Sequence, residues 1–378
     1  NGGLGTSLGC EDPKALIKID KKQNFLDQII KNQHQMRQDY LETIPLILMN
    51  SFYTDKKIKQ YLQNNYCSND INSFQQHRFP RINQATGQPF AYPEFPDKEW
   101  NPAGHGNIYI ALESSGVLDT LLAEGKEVAF ISNIDNLGAR IDPIILDYFI
   151  ENRFDFMLEV APKIPADKKG GTIIKYNDQF TLLEQAQVHP SHYTEFEDTS
   201  IFPIFNTNSL WINLVSLKEK LRNQELKLPV IINPKTVNGT DVIQLETAMG
   251  AAISQFNHTG LIYVDRSRFL PVKTTVDLLM IRSDLFYQDA MGHIKLKEAK
   301  QHDQLPKIKW SSEYQNINIF NQRFQEIPSL IECDSLTING AVFFGPNVTL
   351  QGHVNLSTDH SEYLENCTVI NNDIIRTL

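Results

Sequence analysis

Apolar runs of strand length recur along the first 264 residues of the chain. They are IPLILMNSF (44–52), EVAFISNI (127–134), FDFMLEV (154–160), LPVIINP (228–234) and GLIYV (260–264). Because each run is nearly continuous, we expect strands that are buried on both faces of a sheet. Two intervening stretches, 107–126 and 209–221, space their apolar residues as helices do, and the first meets a glycine stop at Gly125. This alternation predicts βαβ units and an α/β domain, with ligands at the carboxyl ends of the strands.

The tail of the chain has a different period. Apolar residues stand six positions apart in two series, with glycines at turn positions: Leu336, Val342, Val348 and Val354; Ile338, Phe344, Leu350 and Leu356; Gly340 and Gly352. A hexapeptide repeat is typical of a β-helix, in which each short strand buries one or two side chains in a shared column. A hairpin of two alternating strands would explain the period of two but not the glycine spacing. The pattern therefore favours a β-helix from about residue 332.

Composition places the chain among large folded proteins. With 378 residues and 41% hydrophobic residues, it is long enough for two domains, or for one large α/β domain with an appendage. A formal net charge of -10 argues against broad binding to nucleic acid or to an anionic membrane. The sequence contains no apolar run of about 18 residues and no leader pattern, so we expect a cytoplasmic protein. The cysteines lie far apart without CxxC spacing, which predicts free thiols: Cys10, Cys67, Cys333 and Cys367.

The chain opens on a glycine-rich stretch, NGGLGTSLGCEDPK (1–14). It lacks the Gly-Lys-Ser/Thr ending of a P-loop, and its glycines do not have the dinucleotide-binding spacing. A flexible terminus is the ordinary interpretation of such a start. Lys14 favours a functional interpretation. Pro13 places the ammonium of Lys14 just beyond the backbone N–H groups of the glycine stretch, so that the ammonium and these N–H groups can bind one triphosphate together.

Further candidate residues follow the predicted strands. Asp135 stands directly after one of them in SNIDNLGA (132–139), where it either caps a turn or serves as an oxygen ligand for Mg²⁺. The segments GHGN (104–107), KKGGT (168–172) and FNTNSLW (205–211) combine small residues with His or Asn. Each alone is typical of a loop or a helix cap, but together they indicate a site for a polyhydroxylated ligand.

Lys273 lies among apolar residues in FLPVKTTVDLL (269–279). We expect it to be buried in this apolar context, where an ammonium would neutralise phosphate charge in a water-poor site. A surface lysine whose stem packs on apolar neighbours is the more usual interpretation of such a residue.

Long segments of the chain resemble one enzyme family, in order from residue 1 to about residue 378. The segments are NGGLGTSLGCEDPK, FQQHRFPRI, GHGNIYIALESSGVLDTLLAEGKE, SNIDNLGA, ADKKGGT, FNTNSLW, NPKTVNGTDVIQLETAMGAAI, SRFLPVKTTVDLL and DSLTINGAVFFGPNVTLQGHV. They are similar to the UTP–glucose-1-phosphate uridylyltransferase family, whose members are also called UDP-glucose pyrophosphorylases. Segments of this length make a chance match an unrealistic explanation.

The resemblance implies a fold and a division into domains. It implies a Rossmann-type, glycosyltransferase-A-like nucleotidyltransferase domain over residues 1–300, a linker and helix over 301–331, and a left-handed β-helix over 332–378. In the family a helical region and a first strand precede the glycines, so we expect that the chain lacks this front part. We also expect that any homo-oligomer forms through the β-helix.

The resemblance also implies an activity. Family members convert UTP and glucose 1-phosphate into UDP-glucose and pyrophosphate with Mg²⁺, and involve neither nucleic acid nor membrane. Two alternatives are a pyrophosphorylase of broader sugar choice and a non-catalytic sugar-nucleotide-binding assembly protein. The glycine loop and the FLPVK segment disfavour an enzyme for UDP-N-acetylhexosamine. The presence of Lys14, Asp135 and Lys273 argues against a loss of catalysis.

Residue roles carry over position by position from the family motifs. Lys14 and Lys273 match lysines that contact the reacting phosphates, and Asp135 matches the metal-binding aspartate. The residues that match substrate-binding positions are Gly2, Gly3 and Gly5 for uracil and triphosphate, Gln76 for uracil, Gly104 and His105 beside the nucleotide and sugar phosphate, and Gly171, Asn206, Asn208 and Glu246 for the hexose.

The chain departs from the family pattern at a few positions. Asn107 replaces the aspartate of Gly-His-Gly-Asp, and Ile134 replaces the serine of Asn-Ser-Asp. Lys168 adds a charge where an apolar residue is more usual. The change at Ile134 puts in doubt how the second group of the metal site is presented.

Overall fold

The structure is a computed structural model that describes residues 2–5, 8–10, 12–40, 44–66, 71–164, 167–168 and 170–376. Its α-helices are α1 Phe25–Tyr40, α2 Asp55–Asn65, α3 Ile108–Ser114, α4 Val117–Ala123, α5 Pro143–Glu151, α6 Tyr193–Phe196, α7 Leu214–Arg222, α8 Thr275–Arg282 and α9 Ile317–Arg323.

The β-strands are, in chain order, β1 Leu46–Asn50, β2 Ile71–Gln75, β3 Arg78–Pro80, β4 Ile82–Asn83, β5 Trp100–Pro102, β6 Val128–Ile131, β7 Phe156–Pro162, β8 Thr172–Tyr176, β9 Gln179–Leu183, β10 Ile204–Asn213, β11 Val230–Val237, β12 Thr240–Thr247, β13 Thr259–Tyr263, β14 Phe286–Gln288, β15 Ile294–Leu296, β16 Lys307–Trp310, β17 Ser329–Asn339, β18 Val342–Phe344, β19 Val348–Ser357, β20 Glu362–Leu364, β21 Cys367–Ile370 and β22 Asp373–Arg376.

These elements belong to two compact units, and each unit is assembled from three separate stretches of chain. The first unit comprises Asn1–Gly3, Pro45–Asn133 and Ala139–Asp265. The second unit comprises Leu4–Ile44, Ile134–Gly138 and Arg266–Leu378. The domain boundaries at residues 300 and 331 stay a prediction from the sequence.

A mixed four-stranded sheet forms the centre of the first unit. Its strand order is β13-β7-β10-β6, with β13 parallel to β7 and β10 antiparallel to both of its neighbours. Alternate residues of β7 point to opposite faces. Accordingly, Phe156, Leu158 and Val160 join one buried apolar cluster, while Met157 and Ala161 join a second cluster. Both faces of β7 are therefore covered, as the continuous apolar run at 154–160 predicts.

The predicted α/β class is confirmed, whereas the expectation of burial on both faces is wrong for β11 and for the end of β13, where Tyr263 is exposed. Between β1 and β2 the chain forms a βαβ unit, because α2 connects two parallel strands. The run LPVIINP instead enters β11, which pairs antiparallel with β12 and leaves Val230 and Ile232 exposed. β11 is an outer strand of a three-stranded sheet in the order β11-β12-β4, and only one of its faces, with the partly buried Ile231, packs against the core.

Both predicted helical stretches are only partly helical. The stretch 107–126 forms α3 and α4, and the break lies at Gly116, which has a left-handed φ of 77°. The glycine stop at Gly125 is confirmed, with a φ of 73°. In the stretch 209–221 the first five residues belong to β10, and Asn213 then caps α7 by accepting hydrogen bonds from Val215 N and Ser216 N.

The tail belongs to the second unit and is built from parallel strands, except that β22 pairs antiparallel with β21. Leu336 of β17 pairs with Val354 of β19, eighteen positions further along, and Ile338 pairs with Leu356 in the same way. β16 is parallel to β17, β19 to β21, and β18 to β20. The eight apolar residues of the two six-residue series are all buried. Residues that are three six-residue repeats apart are thus neighbours on adjacent parallel strands, as in the pair β17 and β19.

The described cysteines Cys10 and Cys333 are thiols, and Cys67 lies outside the described residues. Among the helices that the structure describes, none is both long enough and apolar enough to cross a membrane.

Candidate functional site

Two lysines of the second unit share one carboxylate oxygen. Lys14 Nζ lies 2.6 Å from Oδ2 of Asp135, and Lys273 Nζ lies 2.8 Å from the same oxygen. The other oxygen, Oδ1 of Asp135, is buried without a hydrogen-bond partner in the described part of the chain. The structure therefore brings together the three residues to which the sequence assigned the phosphate and metal chemistry, and their charges sum to about +1 at neutral pH.

Local backbone structure holds each member of this cluster. Lys14 begins a short 3₁₀ helix, and Leu4 and Pro13 form a bridge that closes the glycine loop before it. Asp135 lies in a segment that runs antiparallel to the FLPVK segment, with Val272 N donating to its carbonyl oxygen at 2.9 Å. Lys273 precedes α8, and its backbone N–H donates to the capping residue Asp277 at 2.9 Å.

The lysines also set the ionisation of the cluster. Burial disfavours the charged form of Asp135, but the positive charges of Lys273 and Lys14 and their hydrogen bonds outweigh it and lower the pKa of the carboxyl. Burial also lowers the pKa of Lys14 in spite of the attraction of Asp135, since that carboxylate is shared with a second ammonium. The carboxylate is therefore ionised at neutral pH.

The expectation that Lys273 is buried is wrong. Phe269, Leu270 and Val272 are buried, but the side chain of Lys273 is 55% exposed. Its apolar neighbours belong to the core, whereas Lys273 itself directly precedes the capping residue Thr274 of α8, and its partly exposed side chain reaches the buried Asp135. Lys14 is the buried lysine, with 10% of its side chain exposed.

Among the glycines that open the chain, Gly2 and Gly5 are closely packed. A Cβ atom on Gly2 would lie 2.0 Å from Nε2 of Gln76, and one on Gly5 would lie 2.9 Å from Cβ of Cys10. Gly3 has open space around the corresponding position. Asn1, Thr6, Ser7 and Glu11 of this stretch lie outside the described residues.

In the first unit, Gln76 is joined to the Gly-His-Gly segment. The backbone N–H of Gly104 donates to Oε1 of Gln76 at 3.1 Å, and Gln76 N donates to the carbonyl oxygen of Asn50 at 2.9 Å. Gly104 has a φ of 88°, and a Cβ there would lie 2.8 Å from the carbonyl oxygen of Thr247. A side chain at this position would thus be both strained and in collision, which explains the glycine. Gln76 is buried and fixed at the end of β2.

His105 and Asn206 both lie beside the turn that follows β12. Met249 N donates to Nδ1 of His105 at 3.2 Å. At the next residue, a Cβ on Gly250 would lie 3.1 Å from Nδ2 of Asn206. The short 3₁₀ helix Met249–Gln255 therefore contacts two of the predicted substrate-binding residues.

The asparagines of FNTNSLW form a pair. Nδ2 of Asn206 donates to Oδ1 of Asn208 at 3.0 Å, and the backbone N–H of Asn208 donates to Oδ1 of Asn206 at 3.2 Å. Asn206 N donates to the carbonyl oxygen of Gly171 at 2.9 Å. A Cβ on Gly171 would lie 2.8 Å from the carboxylate of Glu184, whose pKa is raised by burial. The structure thus groups Gly171, Asn206 and Asn208.

Glu246 lies on β12, where Nδ2 of Asn233 donates to its Oε1 at 3.4 Å. A Cβ atom added to Gly104 would lie 3.1 Å from the Cβ of Glu246. Glu246 is thereby adjacent to the Gln76–Gly104 group.

Asn136 is a structural contributor that the sequence did not single out. Its Nδ2 donates to the carbonyl oxygen of Arg268 at 3.1 Å, and its Oδ1 accepts from Leu270 N at 2.8 Å. These bonds fasten the segment that carries Asp135 to the segment that leads to Lys273. The position next to Asp135 in SNIDNLGA was the only sequence signal for this role.

The comparisons with known proteins agree on one family. Residues 1–351 match the family described as UTP–glucose-1-phosphate uridylyltransferase. A protein of that name from Musa acuminata is 43% identical over 370 residues, which cover 97% of this chain and 78% of the relative.

Solved structures show the same similarity. The crystal structure of a UDP-glucose phosphorylase from Trypanosoma brucei has a TM-score of 0.86 at 38% identity, over 98% of this chain and 86% of that one. A variant of UDP-glucose pyrophosphorylase from Leishmania major in complex with UDP-glucose has a TM-score of 0.86 at 36% identity, over 98% and 84% of the two chains.

Proposed function

Since the chain belongs to the UTP–glucose-1-phosphate uridylyltransferase family, we propose that it forms UDP-glucose and pyrophosphate from UTP and glucose 1-phosphate. The observation that carries the proposal is the pair of ammonium groups on Asp135, in a chain whose similar solved structures include a complex with UDP-glucose. Two fixed cations beside one carboxylate suit a reaction between phosphate groups.

The reaction is an in-line displacement at phosphorus. An oxygen of the phosphate of glucose 1-phosphate forms a bond to the α-phosphorus of UTP, and the bond from that phosphorus to the bridging oxygen of the β-phosphate breaks. Pyrophosphate leaves with the bonding electrons. A phosphate monoester is largely ionised near neutral pH and needs no general base, so catalysis consists of positioning and charge stabilisation. Lys14 and Lys273 are the proposed sources of that charge.

The substrate contacts divide by chemistry. Gln76, with an amide that both donates and accepts, is assigned to uracil, and Gly2, Gly3 and Gly5 to uracil and triphosphate. Gly104 and His105 are assigned to the nucleotide and the sugar phosphate. The hydroxyl groups of the hexose are assigned to Gly171, Asn206, Asn208 and Glu246. Buried or closely packed backbone supports these assignments at Gln76 and Gly104.

Mg²⁺ is the proposed cofactor, with Asp135 as its protein ligand. Among the described residues, no group of three or more His, Cys, Asp or Glu side chains is arranged to hold a metal. A single carboxylate is compatible with Mg²⁺, which usually takes one or two carboxylates together with substrate phosphates and water. The buried and unpartnered Oδ1 of Asp135 fits this requirement. When bound, the ion supplies positive charge that neutralises the phosphates.

The proposed left-handed β-helix at 332–378 is supported by the parallel strand pairs and by the eighteen-residue return from Leu336 to Val354. We retain it as the proposed surface for a homo-oligomer, and the cytoplasm as the proposed location.

The activity is tested by measuring release of pyrophosphate from UTP by the purified protein, with glucose 1-phosphate and Mg²⁺. Parallel reactions with galactose 1-phosphate and N-acetylglucosamine 1-phosphate measure sugar choice. We expect faster release of pyrophosphate with glucose 1-phosphate than with either of the other two sugar phosphates. Equal rates with several sugars would establish the broader enzyme, and binding of UDP-glucose without turnover would establish the non-catalytic protein.

Replacement of Gln76 by alanine should weaken UTP binding roughly 10-fold, the equivalent of one lost polar contact, and leave the affinity for glucose 1-phosphate nearly unchanged. The KM for each substrate at saturation with the other measures this. Gln75→Ala is the matched control, because its Nε2 donates to Asp55 at 2.8 Å and it carries no assigned substrate contact. An equal loss of affinity for UTP and for glucose 1-phosphate in Gln76→Ala would show instead that Gln76 has a structural role.

A further inference from the structure

We infer that Thr207 is a positioning residue for hexose recognition, which it controls by holding the bulge that carries Asn206 and Asn208. The inference rests on the proposed function, because it assigns the two asparagine amides to the hydroxyl groups of the sugar. Thr207 itself faces the interior and is 2% exposed. It therefore acts through its neighbours and does not touch the substrate.

The bulge is visible in the register of β10 and β7. Asn206 pairs with Val160, yet Ser209 pairs with the adjacent Glu159, so that Thr207 and Asn208 have no partner on β7. Asn208 also has a left-handed φ of 56°. Asparagine tolerates this conformation better than most residues, but it remains less favourable than extended backbone. Such a conformation persists only where surrounding bonds hold it.

The hydroxyl of Thr207 supplies those bonds. Its Oγ1 donates to the carbonyl oxygen of Glu159 at 2.7 Å and accepts from the backbone N–H of Ser209 at 3.2 Å. The side chain of Glu159 is anchored in turn, because Nε1 of Trp211 donates to its Oε1 at 3.0 Å. One hydroxyl thus ties the bulge to β7 through the bond that it donates, and closes the bulge on β10 through the bond that it accepts.

This connection sets the geometry of the amide pair. Asn206 and Asn208 flank Thr207, and their mutual hydrogen bonds require the left-handed turn at Asn208. Without the hydroxyl, the buried N–H of Ser209 and the carbonyl of Glu159 lose this partner, which favours a rearranged bulge. The amides then lose the arrangement that recognises a sugar, while the contacts assigned to UTP are untouched.

The test compares Thr207→Val, which keeps the shape but removes the hydroxyl, with Thr207→Ser, which keeps the hydroxyl. We expect Thr207→Val to raise the KM for glucose 1-phosphate roughly 10-fold with little change in the KM for UTP, and Thr207→Ser to restore it. Ser283→Ala is the matched control, because the buried hydroxyl of Ser283 also donates to a carbonyl, that of Met280 at 2.7 Å, and accepts from a backbone N–H, that of Leu285 at 3.3 Å. It should lower thermal stability without the rise in KM.

A second measurement does not depend on activity. Side-chain amide NMR signals of Asn206 and Asn208, in protein labelled with ¹⁵N at asparagine, should shift in Thr207→Val and stay in place in Ser283→Ala. The inference is overturned if an active Thr207→Val enzyme keeps its KM for glucose 1-phosphate, if Ser283→Ala raises that KM equally, or if the amide signals do not move. An inactive wild-type protein would refute the proposed function, and the amide signals would still decide whether Thr207 holds the bulge.

Discussion

Lys273→Ala is expected to lower turnover by about 10²-fold, with a smaller effect on the KM values. The ammonium is held in advance by Asp135, and its backbone is fixed by the capping residue of α8. Charge that is already in place stabilises the transition state without reorganisation, so its loss acts on the rate more than on binding. Because the side chain is 55% exposed, water screens part of the interaction, and we expect the lower part of the range for such contacts.

Steady-state kinetics of two further variants complete this test. Lys273→Arg keeps the charge on a larger, planar group and should recover only part of the rate. Lys295→Ala is the matched control, since Lys295 also pairs with a carboxylate, Asp289 at 2.9 Å, and its side chain is 44% exposed. Near-normal turnover in both Lys273 variants would show that this lysine is not catalytic.

Asp135→Asn should destabilise the protein by about 3–5 kcal/mol, because it leaves the buried ammonium of Lys14 without a compensating charge. The loss of one partner is severe here, since the side chains of Lys14 and Asp135 are each 10% exposed. Removing both charges is far less harmful than removing one. We therefore expect the double variant Lys14→Met/Asp135→Asn to recover most of the stability but none of the activity. Urea unfolding of the three proteins measures this, and a single variant within about 0.5 kcal/mol of wild type would contradict it.

Asp135 should also make the stability of the protein depend on pH. The pKa of Asp135 is lowered in the folded protein, so its contribution to stability is complete above the pKa of an unfolded aspartate, about 4. That contribution is lost as the pH falls through the lower folded value. Asp135→Asn lacks this component, and its stability should therefore decline less than that of the wild type in acid.

Strands were predicted well where burial is complete on both faces. The run at 154–160 became β7 because a continuous apolar segment fits only a covered strand, whereas β6, from the run at 127–134, is an outer strand of the sheet and is only partly buried. The stretch at 209–221 was misassigned because Leu210, Trp211 and Ile212 are all buried in a strand that leads directly into α7. Apolar residues on both faces of a strand, followed by a helix, imitate helical spacing. The cap at Asn213 was the signal that separated them.

The site was predictable residue by residue but not as an arrangement. Lys14 and Asp135 are 121 positions apart, and no local pattern links them. Family resemblance assigned their roles, whereas the shared carboxylate oxygen required the structure. The exposure of Lys273 was missed because the neighbouring sequence is apolar while the residue itself starts a helix cap. Asn136 and Thr207 were missed because both act on backbone groups that the sequence places far away.

The discontinuous second unit has a consequence for synthesis on the ribosome. Its earliest stretch, Leu4–Ile44, emerges long before Arg266–Leu378, and Lys273 follows Asp135 by 138 residues. At roughly 5–20 residues per second, Lys273 is synthesised on the order of ten seconds after Asp135. The three stretches of the first unit have all been translated by Asp265, whereas Arg266–Leu378 of the second unit is made afterwards. The carboxylate of Asp135 therefore meets both of its lysines only after the first unit's stretches have left the ribosome's active centre.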